Sequence, residues 1–341
     1  MEESLIAVTI LWSFLFIYSM LGSLDFGAGF WAMIYGKNDR TNAAIIANRF
    51  LSPTWEVTNV FLVLLVVALF SFFPFAASML GTLLLVPMGL GLLLLTIRTT
   101  FMVFANYANK FKDVFRITSG ITGLLIPALL VSILPITLGG FVEFNNGYPQ
   151  LLYGKILSSP TTYMHIAFGL STELFLSALF LTDYAREAKD DSAFRTYRMH
   201  AIWLGPLTLV IAVLTIVTMP TEASWLVENV RGNLYGFGMS ILLFAIGYSL
   251  LFFKQRNGLV GYSRAAVIFV ILQYGFAIYA YGSAHLPYLV YPDLTVQDGF
   301  TNPAMFYQLL IAYAIGLSIL VPAFFLFWRL FLKDQRYLEQ K

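Results

Sequence analysis

Nine long apolar runs leave this chain few ways to fold. A helix needs about 20 consecutive apolar residues to cross the hydrocarbon core of a bilayer, where every backbone N–H and C=O must be bonded internally. Such runs fall at about 4–35, 52–73, 75–104, 117–142, 161–184, 197–219, 235–253, 261–284 and 306–331. They are continuous rather than alternating in polarity, which points to helices and away from a closed barrel. Only 11% of residues are charged, less than half the roughly 25% of an ordinary soluble domain. The expected fold is therefore all-α: a polytopic membrane bundle of nine transmembrane helices, forming one integral membrane domain over residues 1–341. With Glu2 and Glu3 at the start and a first run this long, no cleavable signal peptide is expected.

Basic residues set the orientation. Lys37, Arg40 and Arg49 follow the first run, and Arg98, Lys110, Lys112 and Arg116 surround the end of the third. Arg186, Lys189, Arg195 and Arg198 follow the fifth, Lys254, Arg256 and Arg264 the seventh, and Arg329, Lys333, Arg336 and Lys341 close the chain. Only Lys155 and Arg231 fall on the other side, so the N-terminus is expected outside and the C-terminus in the cytoplasm. The outer connections 143–160 and 285–305 are rich in Tyr, Pro, Asn and Gly and read as ordered loops. Arg49, Trp55 and Pro74 bracket the second run much as Arg198, Trp203 and Pro220 bracket the sixth. This suggests two parallel four-helix repeats, 1–145 and 155–285, with an additional last span at 306–331.

Several functions are excluded early. A net charge of +2 with no basic face argues against nucleic-acid binding. Without Cys there is no disulfide, thiolate metal site or thiol nucleophile. His165, His200 and His285 are scattered, so neither a metal site nor a haem bound by this chain alone is expected.

An ionisable group inside a span costs about 2.5–3.5 kcal/mol on insertion scales, so each needs a reason. Asp25 lies in Gly22-Ser23-Leu24-Asp25-Phe26-Gly27-Ala28-Gly29, about 30 Å along the first span from Ser4. The small residues around it would let another helix approach and bury the carboxylate in protein. Glu56 follows Ser52-Pro53-Thr54-Trp55, where Pro53 suits a first helical turn and Ser52 a cap, so the helix dipole would favour the anion. Asn59 is on the same face as Glu56, and Arg98 ends the third span at the same depth. Asp25, Glu56, Asn59 and Arg98 thus suggest one hydrated pocket at the cytoplasmic third, able to hold or pass a proton. Glu173, with Ser171 and Thr172 as candidate partners, is a candidate for a second proton or water site, roughly 20 Å below the outer start of the fifth span.

Leu24-Asp25-Phe26-Gly27-Ala28-Gly29, Pro53-Thr54-Trp55-Glu56, the basic Arg98 and the loop Tyr291-Pro292-Asp293-Leu294-Thr295-Val296-Gln297-Asp298 together resemble subunit II of the cytochrome bd-type quinol oxidases. The sequence departs from that pattern at Glu56, where Asp is more often met, at Thr58 for Asn and at Phe61 for Trp. The resemblance implies a heterodimer with a haem-bearing subunit I, which carries haem b and haem d groups and the quinol site, and it admits a small accessory membrane subunit. The complex would oxidise quinol and reduce dioxygen to water with protons from the cytoplasm. This chain would then be a haem-free scaffold, not catalytic alone, with a proton path through Asp25, Glu56, Asn59, Arg98 and Glu173. The rival reading is a proton-coupled secondary transporter, although transporters place their ionisable groups nearer the midplane.

Overall fold

The computed structural model describes residues 2–36, 41–105, 111–146, 148–255, 260–327 and 329, apart from the side chains of 52–54 and 105. Lys37, Arg40, Lys110, Arg256, Lys333, Arg336 and Lys341 lie outside the described residues, as do the side chains of Ser52 and Pro53.

The chain begins with α1 (Glu2–Tyr35), α2 (Ala43–Phe72), α3 (Pro74–Leu83), α4 (Leu85–Ala105), α5 (Lys112–Val131) and α6 (Ile133–Thr137). A hairpin of β1 (Val142–Asn145) and β2 (Tyr148–Leu151) leads to α7 (Tyr153–Ser158), α8 (Pro160–Glu187) and α9 (Asp191–Thr218). Then follow α10 (Pro220–Gly232), α11 (Leu234–Ser249) and α12 (Ser263–His285). A second hairpin of β3 (Tyr288–Val290) and β4 (Leu294–Thr295) precedes α13 (Val296–Gly299) and α14 (Pro303–Phe327). Among the described residues eight helices are long and apolar enough to span, and α10 with α11, bent by 78°, make a ninth if taken as one broken span. The bundle of eight to nine spans matches the nine apolar runs.

Two helix boundaries differ from the sequence reading. The second helix does not start at Pro53 but at Ala43, and Ser52 is no cap. It continues through Pro53, losing one backbone N–H bond, which membrane helices tolerate when neighbours pack closely, as α1 does here. Glu56 is therefore well inside a helix, where no N-terminal dipole favours it. The third run is not one helix: it breaks at Leu84 (φ −98°, ψ 12°) between α3 and α4. Pro87 explains the break, because it has no N–H to offer the carbonyl of Leu83 four residues back.

α1 is the central helix, packed against α2, α5 and α8. Neighbours in sequence pair in the same order twice: α1 with α2 and α4 with α5, then α8 with α9 and α11 with α12. One apolar cluster surrounds the C-terminal half of α1, with Trp31, Phe50, Phe175, Leu179 and Tyr197 buried together. A second surrounds its N-terminal half, with Phe14, Phe72, Phe73, Phe141 and Phe306. Many aromatic side chains thus fill the core instead of facing lipid. The hairpins close the end where α1 begins: Tyr291 N donates to Thr137 O at 3.0 Å, Thr301 N to Phe72 O at 2.9 Å, and Ser4 Oγ to Gln297 Oε1 at 2.9 Å. The opposite end, where the basic connections gather, is called the basic face below.

Candidate functional site

Glycines of α1 and α5 make the space that Arg98 fills. A Cβ on Gly29 would lie 2.9 Å from both Arg98 Nη1 and Ser119 Oγ. On Gly123 it would meet the Phe26 carbonyl oxygen at 2.6 Å and Arg98 Nη1 at 3.2 Å. Gly27 lies against α8, where a Cβ would run into Ser177 Oγ and approach the Glu173 carbonyl at 3.2 Å. The small-residue face of α1 therefore does bring helices close, with α5 on one side and α8 on the other, and leaves room for the Arg98 side chain of α4.

Arg98 does not end a span. It sits inside α4 and is only 2% exposed. Its Nη2 lies 3.4 Å from Asp25 Oδ1 and donates to the Asp25 carbonyl at 2.9 Å, while Nη1 donates to the Ser119 carbonyl at 2.5 Å. The guanidinium also stands 5.1 Å from the Phe26 ring centroid. Asp25 is 4% exposed, so this is a buried ion pair; losing either partner of such a pair costs about 3–5 kcal/mol.

Glu173, on α8, is 1% exposed and within electrostatic range of both Arg98 and Asp25. Ser171 and Thr172 do not bond to its carboxyl. Ser171 Oγ donates to Phe168 O at 3.0 Å, and Thr172 Oγ1 accepts from Tyr274 Oη at 3.3 Å. A serine or threonine on a helix reaches its own preceding turn more easily than a neighbour's carboxylate. Neither carboxyl oxygen of Glu173 has a hydrogen-bond partner among the described residues.

Glu56 and Asn59 are placed differently. Glu56 is exposed on α2 and forms no hydrogen bond or ion pair among the described residues, while Asn59 is half-buried. Asn59 lines a groove between α2 and α4 with Leu62, Val63, Leu92, Thr96 and Thr99. At the two departures beside it, Thr58 is buried, and Phe61 stacks on Phe324 of α14 at 5.2 Å. Three predicted residues, Asp25, Arg98 and Glu173, thus come together; Glu56 and Asn59 stand on a neighbouring, more open surface.

Two residues of this cluster went unnoticed in the sequence. Ser119 supplies a carbonyl to Arg98, and its own Oγ is buried without a partner among the described residues. Tyr18 is buried in the same way and lies within electrostatic range of Asp25 and Arg98. The available signal was spacing: Tyr18 lies two helical turns before Asp25, and Ser119 lies one turn before Gly123.

The histidines are separate. His200 Nε2 pairs with Tyr35 Oη, and its ring lies 4.5 Å from that of Trp31. His165 is buried, with Nδ1 2.7 Å from Thr161 O. His285 is enclosed by the rings of Trp225, Tyr281 and Trp12 at 5.5, 6.0 and 6.5 Å. No group of three or more potential metal ligands occurs among the described residues.

The family model for cytochrome bd terminal oxidase subunit II matches residues 3–331. The cytochrome bd menaquinol oxidase subunit II of Bacillus subtilis (strain 168) is 47% identical over 341 residues, covering 99% of this chain and 98% of that protein. A chain in the solved structure of bd oxidase from Geobacillus thermodenitrificans is similar with a TM-score of 0.82 and 39% identity, over 98% of this chain and 100% of that one. With its apolar spans, this makes the protein a multi-pass protein of the cytoplasmic membrane and a subunit of an oxidoreductase with a partner subunit I. The chain belongs to the cytochrome bd terminal oxidase subunit II family.

Proposed function

We propose that this chain is the haem-free subunit of a menaquinol:dioxygen oxidoreductase, with its basic face in the cytoplasm, and that it admits protons for water formation past Asp25. Menaquinol as the donor follows from the Bacillus relative. The observation that carries the reading is the buried Asp25–Arg98 pair, held in a glycine-lined space toward the basic end of the bundle. A charge pair so costly to bury is retained where it serves a proton or ion path more often than where it only holds helices together. Glu56, exposed on the outer surface of α2, would pass protons toward Asp25, with Asn59 beside it.

Haem b and haem d are assigned to subunit I. A porphyrin needs an open slot beside an axial imidazole. Around His285 that space is filled by three aromatic rings, and His165 is 3% exposed with Nδ1 already engaged. His200 is taken up by Tyr35 Oη and the Trp31 ring, so none of the three histidines as placed offers such a slot. Family membership leaves the transporter reading without support.

The test uses the purified complex. Asp25→Asn and Glu56→Gln should keep haem content near the parental level while slowing quinol-driven oxygen consumption. A tenfold loss would correspond to about 1.4 kcal/mol on the limiting barrier. Because the loss is in proton uptake, it should deepen as pH rises and protons become scarcer. If Asp25→Asn fails to assemble, Glu56→Gln decides alone, since that side chain is exposed and bears no packing. Parental turnover across pH in the assembled variants would remove both acids from the proton path.

A further inference from the structure

Five buried side chains near the centre of the bundle share one property. Arg98 Nε, Ser119 Oγ, Asp25 Oδ1, both Glu173 carboxyl oxygens and Tyr18 Oη have no hydrogen-bond partner among the described residues. Asp25 Oδ1 has only its 3.4 Å ion pair with Arg98. They come from α1, α4, α5 and α8, of which α5 packs against each of the other three, and each is less than a tenth exposed. Buried polar groups are almost always bonded, to protein or to ordered water, so a run of unbonded ones marks where water belongs.

Their depths form a ladder. Counted from the basic-face ends of the helices at 1.5 Å per residue, Ser119, with Arg98 bonded to it, lies roughly 10 Å in, Asp25 roughly 15 Å, Glu173 roughly 21 Å and Tyr18 roughly 26 Å. The charges along it do not balance if both acids ionise. Arg98 is the one cation acting on Glu173 among the described residues, and it is already committed to Asp25 and two carbonyls. A second buried anion with no donor would be strongly disfavoured.

We propose that this ladder is a water-filled proton column and that Glu173 is its store, holding a proton as the neutral acid while Asp25 balances Arg98. The idea rests on the reading of Asp25 as a point of proton intake. Glu173 releases its proton toward the site where four electrons and four protons convert dioxygen to two waters. The carboxylate left behind gives the cluster one net negative charge, which draws the next proton in past Asp25 and restores neutrality. Tyr18 holds the water beyond Glu173 through its hydroxyl.

Infrared difference spectroscopy of the intact oxidase complex, paired with oxygen-consumption assays, tests this. The parent should show a protonated carboxyl C=O stretch that disappears in Glu173→Gln, and that variant should turn over about tenfold more slowly with normal haem content. In Asp25→Asn the same band should shrink, because Arg98 then becomes the counter-ion of Glu173. A Glu173→Gln spectrum identical to the parent's would show that Glu173 is not protonated and overturn the store. So would parental turnover once the band is lost. If Glu173→Gln does not assemble, Tyr18→Phe decides: slower turnover supports the column, whereas parental turnover with unchanged or higher thermal stability overturns it. Slow Glu173→Gln beside parental Asp25→Asn would reject intake at Asp25 and leave the store standing. The reverse result would reject the store alone.

Discussion

A single methyl group at Gly123 should test how tightly the ion pair is housed. Its Cβ would come within 2.6 Å of the Phe26 carbonyl oxygen, a backbone atom that cannot swing aside. Gly123→Ala should therefore destabilise the chain by about 1–3 kcal/mol, the usual cost of overpacking. Gly89→Ala on α4, where a Cβ meets nothing within 4 Å, should be neutral or gain roughly 0.5–1 kcal/mol of helix stability. Thermal unfolding of the purified complex would separate them. Asp25, Arg98 and Glu173 were legible in the sequence because a charge in an apolar run is conspicuous. Ser119 and Gly123 were not: small residues recur throughout membrane helices, and nothing in the sequence says which pair faces a guanidinium. Glu56 was equally conspicuous, yet the sequence could not tell which face of α2 carries it.

At the scale of elements, half-buried Glu222 ties helix ends together. Its carboxylate accepts from Ser159 Oγ at 2.7 Å and from the hydroxyls of Thr161 and Thr221, and Thr161 Oγ1 also reaches Thr218 O at 2.9 Å. The start of α8 is thereby joined to the α9–α10 junction. Hydrogen bonds to a charged group contribute about 1.5–3 kcal/mol. Thr161→Val should cost an amount in that range and Thr221→Val less, because Thr221 is exposed. The order of the two melting temperatures checks it. The sequence showed the elements better than their joints. Apolar length revealed the spans, but Pro53 resembled a helix start and proved interior, because close packing along α1 outweighs one lost hydrogen bond. Pro87 was overlooked and proved to mark a break.

For the whole molecule, the partition of basic residues remains the strongest organising signal. It was fully visible in the sequence because orientation depends on loop charge, not on tertiary packing. A fluorescent protein fused after Lys341 should therefore fluoresce in cells, and alkaline phosphatase fused at the same point should stay inactive. The opposite pair of results would reverse the proposed orientation and put the acids at the wrong face for proton intake. The remaining apolar surfaces are left for lipid and the partner subunit: α14 is held by buried Phe306, by Tyr313 stacked on Phe72 and by Phe324 stacked on Phe61, and its other face is open.

The ion pair also has a history in time. Asp25 and Arg98 are 73 residues apart. During synthesis, α1 leaves the ribosome well before α4 and carries a carboxyl group whose partner Arg98 has not yet been made. The first helix thus cannot reach its final surroundings until the fourth has been inserted beside it. The oldest part of the nascent protein is among the last to be completed.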